Sequence, residues 1–479
     1  MSLFNITKFV NFLSKSNIDK MNSCILKLQN LLGIEKVLDR NSIQERYSHI
    51  WKMSEGLDAI GVVLPGTTKE LSDVLKICNE EEQKVVIHGG LTNLVGGTET
   101  VSTDLVISLE RMNKILEIDT ASRTATVEAG VVLENLRSAV AEKQLIFPLN
   151  FGAKGSAQVG GMVSNNAGGL QVLRYGMTRN LVLGIEAVLA NGTIISSMKK
   201  IIKDNSGYDL KQLFIGSEGT LGIVTRVVLR LIEAPTSRSS AFVALNSYDK
   251  VVTFLKHMDQ GLGGQLSGYE LIWADTYQCM TSPDAVQLPM SRDYKYYVLL
   301  ESLGTNIDSD LNQMIRLLEY ALEKDIILDA VPAQTESDLE WFWRIREDVH
   351  VIKSACTYDH HFDVSLPIAS IGEYAAKTIT ELKKLDFVNA VYTFGHVADG
   401  NIHFIVDRTS TTQDDINTIN EIVYQPLEKL NGSISAEHGI GVHKKAYLKY
   451  SRSEAEINLM KLLKRSLDPN GILNPRNIF

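Results

Sequence analysis

Cysteine is scarce in this chain: Cys24, Cys78, Cys279 and Cys356 are the only four in 479 residues, and no two form a C-x-x-C pair. That spacing signals neither a disulfide framework nor a cysteine-held iron–sulfur cluster, and it fits a reducing compartment. Long apolar runs are missing too. No stretch approaches the roughly 18 apolar residues a transmembrane helix requires, so an integral membrane protein is not expected. Dense blocks of Lys and Arg are absent, and 48 basic against 57 acidic residues leave a net charge of −9, which gives no footprint for nucleic acid. The first twenty residues, MSLFNITKFVNFLSKSNIDK, contain no arginine and no unbroken apolar core. They lack a secretory h-region and match a transit peptide only weakly, with no arginine and with Asp19 breaking the acid-free pattern, so the expected location is a bacterial cytoplasm, with the mitochondrial matrix as the alternative.

What remains is a mixed α+β chain long enough for two or three cores. Residues 58–115 alternate apolar strands with the helical stretch KELSDVLKICNEEE, and residues 121–235 hold short β-rich runs with a hairpin signal at Asn191-Gly192. Pro235 and the polar TSRSS behind it predict a boundary near 236. Beyond it helices and strands alternate again, and the tail predicts a helix ended by Asp468-Pro469-Asn470-Gly471.

Glycine concentrates in three windows: HGGLTNLVGG (88–97), GAKGSAQVGGMVSNNAGG (152–169) and GSEGTLGIVT (216–225). Glycine lets backbone N–H groups approach a ligand closely, and runs of such groups form anion sites, so a phosphorylated cofactor is the expected occupant. No window carries the G-x-G-x-x-G fingerprint or the G-x-x-x-x-G-K-[ST] loop, which disfavours a nicotinamide enzyme and an NTPase. Histidine is the other signal. Of ten in the chain, His396 and His403 flank a turn in TFGHVADGNIHFIV, and Glu437 and His438 follow in SAEHGIG. A hairpin there brings both rings to one point, where two imidazoles and a carboxylate suit zinc or a similar ion; on residues alone, two histidines seven apart are more often structural or exposed.

The stretches VGGMVSNNAGGLQVLRYG, KDNSGYDLKQLFIGSEGTLGIVT, FDVSLP, GHVADGNIH, SAEHGIG and DPNGILNP occur in this order. In them the chain resembles, from about residue 40 to Phe479, the flavin-dependent D-2-hydroxy-acid dehydrogenases of the vanillyl-alcohol-oxidase fold group, the D-2-hydroxyglutarate branch most of all. The resemblance implies a two-subdomain FAD-binding domain at 40–235 behind an N-terminal extension and helix at 1–39. It implies an α+β substrate, or cap, domain at 236–440 and a segment returning to the FAD domain at 441–479.

It further implies FAD on His88, Gly89, Gly90, Leu91, Thr92, Asn93 and Gly96, with the isoalloxazine beside Gly152, Gly155, Ser156, Gly160, Gly161, Asn165, Asn166, Gly168 and Gly169. Gly222, Ile223 and Asn474 complete the implied cofactor set. Covalent members of the fold group carry a histidine after the paired glycines; Leu91 stands there, which implies non-covalent FAD. Family members carry glycine at the place of Asn93, and Asn tolerates the left-handed conformation.

The same resemblance implies a divalent ion, zinc first, on His396, His403 and Glu437, and His438 as the catalytic base. It implies Arg346, His350, His361 and Asn401 toward substrate. Family members for D-2-hydroxyglutarate have lysine in place of His361 and threonine in place of His350, so D-lactate or D-malate is the alternative substrate. A non-catalytic flavin binder is a remote second class. An external electron acceptor, either an electron-transfer flavoprotein or a quinone, and a homodimer are also expected.

Overall fold

A computed structural model of the chain describes residue 21, residues 23–282 and residues 288–479. Residues 1–20 of the extension lie outside the described residues. Residues 23–32 are helical, and their Cys24, Ile25 and Leu28 pack under the first sheet.

Three sheets carry the architecture. The first has four strands in the order Val37–Asp39, Gly61–Val63, Leu105–Ser108, Val85–His88. Its last three are parallel, as the intervening helix Thr68–Glu80 requires. The second sheet is antiparallel, in the order Ile115–Asp119, Thr124–Glu128, Ile223–Arg230, Val182–Val188, Ile194–Ser197. Gly192 turns the last hairpin at φ +80°. The third sheet is antiparallel with seven strands: Asp329–Pro332, Ser237–Leu245, Tyr296–Gly304, Leu266–Trp273, Val388–Gly395, Asn401–Arg408 and Tyr358–Ser365.

Side-chain alternation makes the third sheet two-faced. Ala241, Val243 and Leu245 point to one face, where the helices Tyr248–Leu262, Ile307–Glu323, Ile368–Leu382 and Gln413–Lys429 bury Phe254, Met314, Ile371 and Val423. Phe242 and Ala244 point to the other, beneath Phe342, Trp343 and Ile345 of the helix Glu336–Glu347. Each such large side chain contributes about 1.5–3 kcal/mol by leaving water. That second face bears the polar side chains described next, and it turns toward the glycine windows of the first two sheets.

The C-terminal segment returns to the first sheet. The Val85 N–H donates to Ile472 O at 2.8 Å and the Asn474 N–H to Val85 O at 2.9 Å. Asn474 then clasps two elements: its Oδ1 accepts the Ile87 N–H and its Nδ2 donates to Glu218 O.

Candidate active site

A cavity of about 730 Å³ lies between the glycine windows and the polar face of the third sheet. His88 through Asn93 line it from the first window, Gly152, Gly160, Gly161, Asn165, Gly168 and Gly169 from the second, with Ile223 and Asn474 beside them. Two glycines show why the sequence folds this way. A Cβ on Gly90 would stand 2.0 Å from Ser156 O, so only glycine lets the first two windows touch, whereas a Cβ on Gly161 would meet no protein atom within 4 Å. The first glycine closes the cradle and the second leaves ligand space. Gly90→Ala is therefore expected to force the windows apart at an overpacking cost of about 1–3 kcal/mol. The purified variant should show a clearly lower ratio of flavin to protein absorbance than wild type; an equal ratio would count against the cradle.

Six expected ligand-binding residues do not line the cavity. Gly96 backs onto the His443 ring and Gly222 onto Phe214. Asn166 holds the Arg179 N–H at 2.8 Å in a turn, while Gly155 and Ser156 are exposed on the outside of their loop. Asn401 opens its strand opposite Ser365, buried, with both amide atoms lacking a hydrogen-bond partner. The non-glycine residue of the first window with positive φ is Leu91, at +56°, rather than Asn93. Asn93 instead accepts the N–H groups of Val95 and Gly97 at 3.0 and 2.8 Å, bracing the loop from within. His88 lines the cavity with its Nε2 on Thr98 O at 3.0 Å, and burial holds its pKa down near about 4.

On the opposite wall the hairpin Val388–Gly395/Asn401–Arg408 brings His396 and His403 together, with ring centroids 5.4 Å apart and planes at 88°. His403 lies across from Asp363 in the neighbouring strand. Glu437 and His438 come from the loop behind, with His396 Nε2 3.9 Å from a Glu437 oxygen and the His403 and His438 rings 6.0 Å apart. The glycine-rich and histidine-rich walls meet directly: a Cβ on Gly168 would stand 2.9 Å from Glu437 Oε1. They are also stitched by Glu218, which accepts the N–H groups of Ile440 and Gly441 at 2.6 and 2.8 Å.

Two buried carboxylates were not signalled by the sequence. Glu270, in the strand Leu266–Trp273, receives His396 Nδ1–H at 2.5 Å and Arg346 Nε–H at 2.9 Å. Arg346 is thus no exposed helical ion pair. It is buried, stacked 4.6 Å over the Phe394 ring, and joined to His396 through one carboxylate. Asp363 is the second, and it gathers the loop that carries Glu437 and His438. His350 and His361 line the cavity, but His361 Nε2 is engaged by Asp359 at 2.6 Å. At the rim, Lys353 lies 4.9 Å over the Trp51 ring, closing cap against flavin half.

The donor set fits a divalent ion. One nitrogen each from His396 and His403 and one Glu437 oxygen lie within 4.8 Å of one another, and the imidazole–carboxylate mixture is that of zinc sites. Glu270 on His396 supplies the outer carboxylate such ligands characteristically carry. Carboxylate charge also crowds here. Burial, with Asp363, Asp399 and Glu270 adding to it, pushes the Glu437 carboxyl up to about 7 although His396 opposes the shift. Burial pulls His396 down, but Glu270 and Glu437 outweigh it and raise it to about 9. A cation beside these groups would displace the His396 proton and keep Glu437 ionised. Burial lowers His438 to about 4, so it is a neutral imidazole near pH 7.

Known proteins share both halves of this arrangement. Residues 59–197 match the FAD binding domain family and residues 234–478 match the C-terminal domain of FAD linked oxidases. The chain belongs to the FAD-linked oxidase family. It is therefore an FAD-dependent oxidoreductase, which removes the non-catalytic alternative. Among the family's members, D-2-hydroxyglutarate dehydrogenase of Arabidopsis thaliana is 36% identical over 94% of this chain and 80% of its own. The D-2-hydroxyglutarate–pyruvate transhydrogenase of Saccharomyces cerevisiae is 34% identical over 93% and 92%. A Schizosaccharomyces pombe protein, provisionally named a D-lactate dehydrogenase, is 37% identical over 97% and 90%. The fold is that of vanillyl-alcohol-oxidase-type flavoenzymes. Solved p-cresol methylhydroxylase superposes with a TM-score of 0.73 at 18% identity over 96% of this chain and 97% of that one. 4-Ethylphenol oxidase from Gulosibacter chungangensis gives 0.74 at 18% over the same shares.

The relatives correct one expectation. Those from Arabidopsis, Schizosaccharomyces pombe and Danio rerio are named mitochondrial, which points to mitochondria rather than a bacterial cytoplasm. Twenty residues without arginine misled because that reading weighed a short stretch against a general transit-peptide composition. Among the described residues no helix is long and apolar enough to cross a membrane.

Proposed function

We propose that this FAD-linked oxidoreductase oxidises a D-2-hydroxy acid to the 2-oxo acid, with D-2-hydroxyglutarate as first substrate and D-lactate or D-malate as second. The observation that carries this reading is the close approach of Gly168 to Glu437, which joins the flavin wall and the histidine–carboxylate wall around one cavity. Relatives named for D-2-hydroxyglutarate support the first substrate. The hydrogen bond of His361 Nε2 with Asp359 leaves that ring nitrogen unavailable to a second carboxylate, which favours D-lactate.

When bound, FAD supplies the hydride acceptor at N5, and a divalent ion, zinc first, on His396, His403 and Glu437 supplies the Lewis acidity that makes the substrate hydroxyl a better acid. Arg346 receives the C1 carboxylate with the N–H groups that Glu270 leaves free. His438, neutral and buried, takes the hydroxyl proton as the C2 hydride departs. Phe394 and Ile405 supply apolar wall beside these groups and keep water from the reacting carbon. Electrons then leave to an external acceptor, an electron-transfer flavoprotein or a quinone.

FAD is held non-covalently in this reading, because Leu91 follows Gly89 and Gly90. Acid precipitation should leave a yellow supernatant and a colourless pellet. Anaerobic mixing with D-2-hydroxyglutarate, D-malate and D-lactate should bleach the flavin with at least one of them, and L-enantiomers should not. Treatment with a chelator should abolish bleaching and leave the flavin bound. Bleaching by none of the D-acids would remove the proposed reaction, and full activity after chelation would remove the ion.

A further inference from the structure

Asp363 sits mid-strand in Tyr358–Ser365, directly across from His403 and fully buried. Its Oδ2 accepts three successive backbone N–H groups, from Ala436 at 3.1 Å and from Glu437 and His438 at 2.9 Å each, with the Ser435 hydroxyl at 3.3 Å. Lys444 Nζ lies 3.9 Å from the same oxygen. One carboxylate oxygen therefore sets the path of the loop bearing Glu437 and His438. The other oxygen, Oδ1, is buried with no hydrogen-bond partner. It faces Nδ1 of His403 at 3.8 Å, and Nδ1 of His438 lies 3.8 Å from Oδ2.

Two imidazoles thus turn the same ring nitrogen toward one buried carboxylate. A neutral imidazole carries its proton on either Nδ1 or Nε2. Beside a carboxylate in a low-dielectric site, a proton on Nδ1 is attracted and a lone pair is repelled. Both gaps exceed a direct hydrogen bond, so the bias is carried by the field or by an intervening water. We infer that Asp363 is a positioning residue that holds His403 and His438 in the Nδ1–H tautomer. Their Nε2 lone pairs are then free, on His403 toward an ion and on His438 toward a substrate proton. The inference rests on the proposed roles of those two histidines, but the tautomers are measurable without turnover.

The test is imidazole ¹⁵N correlation spectroscopy on FAD-loaded, histidine-labelled protein, with His403→Gln and His438→Gln as assignment variants. Wild type should show Nδ1–H tautomers at both positions. Asp363→Asn keeps an oxygen for the three loop amides and replaces the second oxygen with an NH₂ donor. It should retain its flavin absorbance, move His403 to the Nε2–H form, and slow flavin reduction at saturating D-2-hydroxy acid by about 10–100-fold, the usual range for a lost outer partner of a ligating histidine. Nε2–H tautomers in wild type would overturn the inference even if the variant fails to fold. Unchanged tautomers in a folded Asp363→Asn, with its zinc content lowered, would make Asp363 a ligand and overturn it equally. Wild type that shows the Nδ1–H forms yet is bleached by no D-2-hydroxy acid would remove the proposed reaction and leave the tautomer assignment standing.

Discussion

Replacing His438 with asparagine is expected to slow flavin reduction by D-2-hydroxyglutarate or D-lactate about 100-fold or more, the scale on which a general base contributes. Asparagine keeps a polar group of similar reach, and the loop should keep its place because the contact with Asp363 is made by the backbone N–H of residue 438. Metal content should persist, since His396, His403 and Glu437 remain. Stopped-flow bleaching of the flavin separates this step from reoxidation by the acceptor. His396→Ala is the contrasting case. It removes one of the two partners of Glu270 and one member of the ligand set, so ion and rate should be lost together. A His438→Asn protein that bleaches at the wild-type rate would move the base elsewhere, and parallel loss of ion in both variants would make His438 a ligand.

The second large effect should come from Glu270, a residue buried behind the cavity lining. Its carboxylate is fully buried and meets two donors, the Arg346 guanidinium at 2.8 Å and His396 Nδ1 at 2.5 Å. Glu270→Ala leaves the Arg346 guanidinium buried without its partner, a defect that typically destabilises by about 3–5 kcal/mol. The denaturant midpoint should fall accordingly. Glu270→Gln retains the volume and one acceptor, so it should recover much of the stability but not the orientation of both partners. KM for the hydroxy acid should then rise because Arg346 is no longer aimed. Wild-type stability in Glu270→Ala would mean that Arg346 finds another partner or reaches solvent.

Glu270 and Asp363 mark where the sequence ceased to be readable. The glycine windows and the histidine pair are local patterns, with their meaning contained in about ten to twenty neighbouring positions. Glu270 lies 76 residues from Arg346 and 126 from His396, and Asp363 lies 75 before His438. Glu270 is the single carboxylate of an apolar strand, Asp363 the inward acid of a strand that also carries Asp359, and only the sheet's register reveals what each faces. The available hint was chemical: an acid rarely occupies the inward position of a buried strand without a cation or several donors to meet it. Arg346 was legible as a residue and not as a pair. Leu91 was harder still, because a left-handed leucine contradicts local preference, and the Ile50 N–H that its carbonyl accepts lies 41 residues away. Asn401, assigned toward substrate by the resemblance, is a buried strand end outside the cavity lining.

The clasp of Asn474 has a consequence for how the chain is made. The edge at Val85–His88 is completed by a partner 387 positions away from Ile87. At ribosomal rates of about 5–20 residues per second, roughly 20–80 s pass between the emergence of that strand and the arrival of its neighbour. Throughout that interval the first glycine window hangs from an open sheet edge, a surface prone to pairing with the wrong strand. The flavin cradle can therefore be finished only after the whole cap has been synthesised, so cofactor capture belongs to the end of biogenesis, and a nascent chain lacking its C-terminal segment should depend on chaperones until then.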